Sequence, residues 1–265
     1  MKRLTKYLKK RKTAIDFILE KPSNKYTTNT FHKLRVEIKK LNSFFDLVNF
    51  CSNNFKRKAS NKPFKSIFRQ AGKVRELQIE DAIIKKYLAN NCIRDYRKSL
   101  RKLQLIAKED FFLLVNKKMM NLLNKKYLAV IPHLFRIDQK KINAYLEKKK
   151  KDIKKLVVKE NIQIEQIHKL RKQLKNISYN KAISDNKKSK EQLVEQNIML
   201  DLLGKWHDCQ VIIEHLEQTL KRGQLNLTEV DQIKTIKLKV SFERNILFEE
   251  INKALPQTEL FAKNN

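Results

Sequence analysis

Two stretches of the chain decide its fold: FHKLRVEIKKL, from Phe31 to Leu41, and IHKLRKQLKNI, from Ile167 to Ile177. A second pair follows in the same order, with AGKVRELQI from Ala71 to Ile79 and LGKWHDCQV from Leu203 to Val211. The offset between partners is 136 residues in the first pair and 132 in the second. Repeated motifs in a preserved order and spacing predict an internal duplication.

Rare residue types strengthen this interpretation. The chain has only 3 glycines and 5 histidines, yet two of each fall at equivalent positions, namely Gly72 with Gly204 and His32 with His168. We therefore predict a single domain, 1–265, with a first helical repeat at 1–132 and a second at 133–265. Pro132 is the predicted joint between them.

Composition favours an all-α fold. With 3 Gly and 4 Pro in 265 residues, the chain has too few turn residues for a β-sandwich or a Rossmann-type sheet. Its hydrophobic residues, 41% of the total, recur throughout, which argues against disorder. Long helices are the remaining solution.

The hydrophobic periodicity and the loop residues predict four helical stretches in each half. Those of the first half are Lys2 to Glu20, Phe31 to Phe50, Phe64 to Ala89, and Ile93 to Val130, the last being one long helix or two. Those of the second half are Gln139 to Val157, Ile164 to Ile183, Lys190 to Lys221 and Thr228 to Leu255. SDNKKS and RGQLN connect the last three. The sequence thus predicts two four-helix units.

The second predicted helix carries two stripes. The apolar stripe, spaced for a helix face in the core, consists of Leu34, Ile38, Leu41, Phe45 and Val48. Three basic or ionisable side chains, His32, Arg35 and Lys39, follow at i, i+3 and i+7 and form a second stripe. Val36 and Leu47 border this stripe, which predicts a partly enclosed groove rather than a solvated face.

The predicted helix from Ile164 to Ile183 repeats the arrangement. Leu170, Leu174 and Ile177 form its apolar stripe. His168, Arg171 and Lys175 form its basic row, with the same three residue types at the same spacing. Arginine can grip phosphate oxygens in a bidentate fork, lysine adds a compact charge, and an adjacent phosphate favours protonated histidine. Two such rows fit a chain of phosphates better than a single small anion.

The glycine segments carry further candidates. A glycine within a helix is unfavourable, so Gly72 and Gly204 are expected to permit close helix packing or a kink. An ionisable residue and then an acid follow each of them, as Arg75-Glu76 and His207-Asp208. Because neighbours in a helix do not face each other, the partners of these acids must come from other helices.

The net charge points to an anionic partner. The chain has 60 Lys+Arg against 28 Asp+Glu, a formal charge of +32. This excess is self-repulsive, and binding to a polyanion relieves it. Lysines 148–151 are expected to be exposed, in contrast to the two basic rows. Lys-rich and Asn-rich usage can also reflect genome composition.

Cysteine usage and hydropathy bear on location. Cys51, Cys92 and Cys209 are odd in number and form no C-x-x-C pair, which favours a reducing compartment. No stretch approaches the roughly 18 apolar residues of a membrane span. We expect a soluble, cytoplasmic protein with no membrane association, no cofactor and no bound metal.

These motifs resemble those of the CHAD family, the conserved histidine α-helical domain, which typically carries H-x-x-R-V-x-x-[KR]-[KR]-L-R in each half. The first copy matches at His32, Arg35, Val36, Lys39, Lys40 and Leu41, and the second at His168, Arg171, Lys175 and Tyr179. LGKWHDCQV is similar to the family element L-G-x-x-[RHN]-D-x-x-V, and AGKVRELQI is a weaker version. Asn42, Asn176 and Ser178 stand where the family usually has basic residues.

The resemblance implies two four-helix bundles about a pseudo-twofold axis, with basic helices lining a groove that binds inorganic polyphosphate. It also implies association with polyphosphate granules. The candidate polyphosphate-binding residues are His32, Arg35, Lys39, Lys40, Arg75, His168, Arg171, Lys175 and His207. We expect a stand-alone binding module that is not an enzyme, with no catalytic residues.

Two other functions stay open. The charge alone favours a nucleic-acid binder, and weak nonspecific binding to DNA or RNA is expected in any case. Aromatic residues amount to 8%, however, without a stacking pattern. The second is an HD-type metal phosphohydrolase built on His207-Asp208, with His32, His168 or Asp81 completing a metal shell. Arg75-Glu76, the counterpart of that dyad, contributes no imidazole.

Overall fold

A computed structural model describes residues 2–87, 93–157, 162–181, 183, 190–223 and 225–255. Within these ranges the chain forms nine α-helices and one short 3-10 helix, and no β-strand. The prediction of an all-α protein is therefore confirmed. The predicted helix end at Ala89, the residue Cys92 and the connection at 184–189 lie outside the described ranges.

The helices, in chain order, are α1 Lys2–Leu19, α2 Thr28–Cys51, α3 Arg57–Tyr87, α4 Arg94–Leu114, α5 Lys117–Leu134, α6 Gln139–Val157, α7 Ile164–Lys181, α8 Lys190–Arg222 and α9 Leu227–Ala254. The 3-10 helix, Ser23–Lys25, lies between α1 and α2. The predicted stretch from Ile93 to Val130 is two helices, because Asn116 interrupts it. The Asn116 side chain accepts a hydrogen bond from the Met119 N–H at 3.0 Å and caps the start of α5.

Pro132, the predicted joint between the two repeats, does not interrupt the helix in which it lies. It lies inside α5, which continues to Leu134. Proline cannot donate the backbone bond to the carbonyl four residues earlier. The residue that carries this carbonyl, Leu128, is 64% exposed, while the buried Val130 and Leu134 hold the last turn in the core.

The compact units of the molecule do not follow the predicted boundary at residue 132. Unit 1 consists of Met1–Arg75, Gln104–Lys149 and Asn176–Asn186, and unit 2 of Glu76–Leu103, Lys150–Lys175 and Lys187–Asn265. Each unit therefore contains segments from both halves of the sequence. The internal duplication stays a prediction from the repeated motifs.

The core of unit 1 forms around α2. Its predicted apolar stripe is at most 3% exposed at each position, from Leu34 to Val48. Helix α2 begins with a capping box, in which the Thr27 hydroxyl accepts from the Thr30 N–H and the Thr30 hydroxyl accepts from the Thr27 N–H. This box fixes the start of α2 at Thr28, three residues before the predicted start at Phe31. Helix α1 packs against α2.

The core of unit 2 includes the antiparallel pair α8 and α9. Asn226 and Glu229 form a capping box at the start of α9. Glu229 is buried and also accepts a hydrogen bond from the Tyr96 N–H at 2.9 Å, which ties α9 to the first turn of α4. The apolar stripe of α7 is buried as predicted, with Leu170, Leu174 and Ile177 at most 1% exposed.

No helix in the described part of the chain is long and apolar enough to cross a membrane. Cys51 and Cys209 are both buried free thiols, and burial raises the pKa of each to about 11. Such thiols are protonated and poorly nucleophilic at neutral pH.

Candidate anion-binding site

The first basic row, His32, Arg35 and Lys39, lies on α2 in unit 1. The aromatic residue Phe68 of α3 contacts it. The Arg35 guanidinium carbon lies 4.2 Å from the centre of the Phe68 ring, and Arg35 Nη1 donates to the Phe68 carbonyl at 3.1 Å. The Lys39 ammonium lies 5.6 Å from the same ring. Cation–π contacts of this kind attract a positive charge to the ring face. Phe68 thus holds two cations of the row close together.

The row differs in exposure along its length. Arg35 and Lys39 are half-buried, whereas His32, at the start of α2, is exposed. Lys40, the next candidate, is also half-buried and forms a 2.8 Å ion pair with Glu37. Glu37 pairs in turn with the buried Arg11 of α1 at 2.6 Å. The structure therefore brings Lys40 to this pair rather than to the Phe68 ring.

Arg75 belongs to the same site through α3. It is half-buried and lies seven residues after Phe68, which places both on one face of the helix. That face contacts α2, because Phe68 touches Arg35 and Lys39. The sequence analysis missed Phe68, although its spacing from Gly72 and Arg75, at i, i+4 and i+7, was a signal that could have identified it.

The second basic row lies on α7, in unit 2, and an aromatic residue of the neighbouring helix contacts it as well. The His168 ring lies 5.1 Å from the ring of Trp206 on α8, edge to face. The same ring lies 5.2 Å from the ring of His207. Trp206 is fully buried, whereas His168 and His207 are half-buried. The structure thus brings the candidate residue His207 beside the row on α7.

Lys175 is in an environment that is unusually unfavourable for a positive charge. Burial and the positive charge of Arg171 both lower the pKa of Lys175, while the nearby carboxylate of Asp208 opposes the change. Asp208, from α8, therefore does act on a cation of the other helix. An anion bound at this point would stabilise the ammonium further, because opposite charge favours the charged form.

Gly204 makes no close helix contact among the described residues, so of its two predicted roles close packing is wrong, and a kink stays a prediction. A β-carbon added to Gly204 would meet no described heavy atom within 4 Å. The glycine lies one turn before His207 on α8. Its missing side chain therefore leaves open space along α8 beside the histidine rather than contact with another helix. Gly72, by contrast, is buried in α3.

A histidine that the sequence analysis did not select, His215 of α8, forms a polar cluster with two acids of α3. Its Nε2 lies 3.7 Å from the Glu76 carboxylate and its Nδ1 lies 3.2 Å from Glu80. These carboxylates raise the pKa of His215 to about 9, against the opposing effect of burial. Glu80 is 2% exposed and also accepts a hydrogen bond from the Tyr96 hydroxyl. Glu76 therefore finds its partner on another helix, as expected.

The described residues do not assemble a metal site from His207-Asp208. No group of three His, Cys, Asp or Glu side chains that could hold a metal ion occurs in the described ranges. Asp81, a proposed member of such a shell, forms ion pairs with Lys85 at 2.7 Å and Arg97 at 3.3 Å. Burial raises the pKa of Asp81, but these cations outweigh it and lower the pKa overall.

Comparison with known families gives a match over much of the chain. The sequence profile of the CHAD domain matches residues 24–217, which include both basic rows and both glycine segments. The match covers more than half of the 265 residues. The chain belongs to the CHAD family. A search of curated proteins finds no match.

Two solved structures share this CHAD fold. One is the crystal structure of the CHAD domain from the plant Ricinus communis, with a TM-score of 0.77 at 13% identity, over 95% of this chain and 88% of the other. The other is PptA from Streptomyces chartreusis, with a TM-score of 0.70 at 8% identity, over 96% and 98%. At these identities the likeness is one of fold.

One departure from the CHAD motif, Asn176, has a structural explanation in unit 1. Asn176 accepts from the Tyr145 hydroxyl at 2.6 Å and donates to Asp46 at 3.1 Å. The buried Asn180 donates to Asn176 and to the Ser43 hydroxyl. A basic side chain at position 176 would leave this network without its acceptor, which costs about 1–3 kcal/mol for a buried group.

Proposed function

We propose that this CHAD protein binds inorganic polyphosphate without catalysis, through the basic rows of α2 and α7. The observation that carries the proposal is that each row combines helix-spaced cations with an aromatic ring from the next helix, Phe68 in unit 1 and Trp206 in unit 2. Membership of the CHAD family supports the same interpretation.

Partial burial of the rows suits a phosphate ligand. Arg35, Lys39, Arg171 and Lys175 are all half-buried, so water screens their charges less than those of exposed lysines. Charge-assisted hydrogen bonds to phosphate oxygens are stronger in such surroundings. Burial and, after it, the positive charge of Arg171 lower the pKa of Lys175, and a bound phosphate would favour the charged form of this side chain.

The test compares charge reversals at sites of different burial. Arg35→Glu and Arg171→Glu should each weaken binding of long-chain polyphosphate by at least about 2 kcal/mol, or roughly 30-fold, because each replaces a charge-assisted bond with repulsion. Isothermal titration calorimetry of the folded variants measures the change. Circular dichroism first establishes that each variant is folded.

The control must reverse an exposed charge. Lys150, from the run expected to be exposed, is half-buried and therefore unsuitable, whereas Lys151 and Arg101 are exposed. Lys151→Glu and Arg101→Glu change the net charge by the same two units and should cost well under about 1 kcal/mol. Equal losses at rows and controls would mean that bulk charge binds the polymer, and the proposal would fail.

Nonspecific nucleic-acid binding is the second candidate, and the net charge of +32 favours it. Competition between polyphosphate and single-stranded RNA at matched phosphate concentration separates the two. We expect polyphosphate to displace RNA, and Arg35→Glu to weaken polyphosphate binding more than RNA binding. If the protein preferred RNA, and if every charge reversal weakened RNA binding equally, the result would support nonspecific nucleic-acid binding.

The proposed ligand suggests where in the cell the protein acts. We propose a cytoplasmic protein that associates with polyphosphate granules. A fluorescent fusion should co-localise with stained granules, and the Arg171→Glu fusion should do so less.

A further inference from the structure

The outward face of α9 carries an apolar stripe. Leu238, Phe242 and Ile246 follow at i, i+4 and i+8, and they are 72%, 69% and 45% exposed. Together with Tyr87 of α3 they line a shallow groove on unit 2. Three large apolar side chains side by side on the surface mark an interaction site more often than three scattered ones do.

The charges on this face differ from those of the chain as a whole. The exposed charged side chains of α9 are three acids and three bases: Asp231, Glu249, Glu250, Lys234, Lys239 and Lys253. The face is therefore neutral, whereas the chain has a net charge of +32. A purely acidic partner would find stronger attraction elsewhere on the surface. A neutral, mixed face is suited to a partner that also carries both signs.

The order of the residues is self-complementary about Phe242. Leu238 and Ile246 lie four residues to either side of Phe242, and the acidic Asp231 and the basic Lys253 lie eleven residues to either side. Lys234 lies eight residues before it, and the acids Glu249 and Glu250 lie seven and eight residues after it. In an antiparallel pair of α9 helices, Leu238 therefore meets Ile246, Lys234 meets Glu250 and Asp231 meets Lys253, while Lys239 meets the uncharged Asn245. A parallel pair would place like charges opposite each other.

From this arrangement we infer that α9 binds the α9 of a second copy of the chain, antiparallel, with the twofold axis at Phe242. The two Phe242 rings meet at the axis, Leu238 packs against the partner's Ile246, and Lys234 lies near the acids of the partner's α9. This is an isologous contact, in which one patch serves both subunits. It closes on itself and forms a dimer rather than a filament.

The length of α9 limits the area that this contact can bury. From Asp231 to Lys253 the helix rises about 33 Å, at 1.5 Å per residue. One helix pair of this length lies at the small end of specific interfaces, so we expect a dimer with a dissociation constant in roughly the micromolar range. The dimer is independent of polyphosphate binding, but it doubles the number of basic rows available to one long chain.

Sedimentation equilibrium of the full chain, over a hundredfold range of concentration around roughly micromolar values, tests the inference. Wild type should change from monomer to dimer. Phe242→Glu should remain monomeric at concentrations where wild type is dimeric, because two carboxylates would meet at the axis. Phe17→Glu is the matched control: Phe17 lies on α1 and is 65% exposed, and its variant should dimerise like wild type.

A charge exchange tests the antiparallel order. Lys234→Glu should weaken the dimer, and the combination of Lys234→Glu with Glu249→Lys and Glu250→Lys should restore it, because the opposite signs are recovered across the axis. All of these positions are exposed, so the fold should be kept, and circular dichroism checks it. Failure of the combination to restore the dimer would overturn the antiparallel pairing.

The chain's own C-terminal residues, 256–265, are the alternative occupant of the stripe. If they cover it, the full chain is monomeric and a chain that ends at Leu255 forms the dimer, which overturns the inference. A dimer that Phe242→Glu leaves unchanged would also overturn it. Calorimetric titration with a short polyphosphate should give equal affinity for wild type and Phe242→Glu, so failure here is distinct from failure of the proposed function.

Discussion

The cations of the first row depend on a residue that carries no charge. Phe68 accepts the Arg35 guanidinium over its ring and through its carbonyl, and Lys39 lies near the same ring. Both long side chains lose rotamer freedom when they bind a ligand, so partial ordering in advance reduces that cost. We therefore expect the ring to raise the affinity of the row for the proposed phosphate ligand without touching it.

The cluster around His215 should make the stability of the protein depend on pH. The carboxylates of Glu76 and Glu80 raise the pKa of His215 from 6.5 to about 9 in the folded state. The folded protein thus binds this proton more tightly than the unfolded chain does. The stabilising effect is fully present below about pH 6.5, decreases as the pH rises, and is lost above about pH 9. We expect roughly 2–3 kcal/mol from a group that is one quarter exposed.

Urea denaturation at pH 6 and at pH 9.5 measures this effect, with His215→Gln as the control because glutamine keeps a donor but does not titrate. The free energy of unfolding should fall more for wild type than for the variant between the two pH values. An equal fall in both proteins would show that His215 is not the group responsible.

We expect substitution by alanine to have opposite effects on stability at Gly204, inside α8, and at Gly223, just after it. Gly204 lies within the helix, and an added β-carbon would meet no described atom within 4 Å. Gly204→Ala should therefore raise stability by about 0.5–1 kcal/mol, because alanine restricts the unfolded chain and favours the helix. Gly223, which follows the last helical residue, has a φ of 65°. Gly223→Ala should cost about 1 kcal/mol or more, since a β-carbon is strained in this region.

Thermal unfolding followed by circular dichroism compares the two variants. A rise in melting temperature of about 1–4 °C for Gly204→Ala and a fall for Gly223→Ala are the expected results. A fall for both would mean that Gly204 has a packing role after all.

For the whole molecule, the total charge and the two rows should produce affinity that depends on chain length and salt. Under the proposed function, we expect a long polyphosphate to make about four contacts with cations, at Arg35, Lys39, Arg171 and Lys175. By analogy with counterion release from nucleic acids, its affinity should fall about 100-fold between roughly 50 and 200 mM salt. A short oligophosphate that reaches one row makes half as many contacts, and its affinity should fall only about tenfold.

Calorimetric titrations with fractionated polyphosphates at several salt concentrations supply both slopes. Orthophosphate serves as the reference ligand and should bind weakly. If orthophosphate or a short oligophosphate bound as tightly as a long chain, the contribution of several cations acting together would be excluded.

The helical class, the buried stripes and the basic rows could all be predicted from the amino-acid sequence. These features depend on local periodicity: apolar residues at helical spacing are buried wherever the helix packs, as Leu34 to Val48 and Leu170 to Ile177 show. The repeated His, Arg and Lys positions were also visible, because spacing along one helix fixes which residues share a face. Pro132 shows the limit of this local reasoning, because it lies inside α5 rather than in a loop.

Contacts between residues of different helices depend on the tertiary structure and could not be predicted from the sequence. The ring of Phe68 beneath Arg35, the contact of His168 with Trp206 and His207, and the pairing of His215 with Glu76 all join side chains far apart in sequence. The same holds for the compact units, which combine segments from both halves of the chain. Periodicity assigns each residue to a face of its own helix, but the partner of that face depends on how the helices pack, which no single helix encodes.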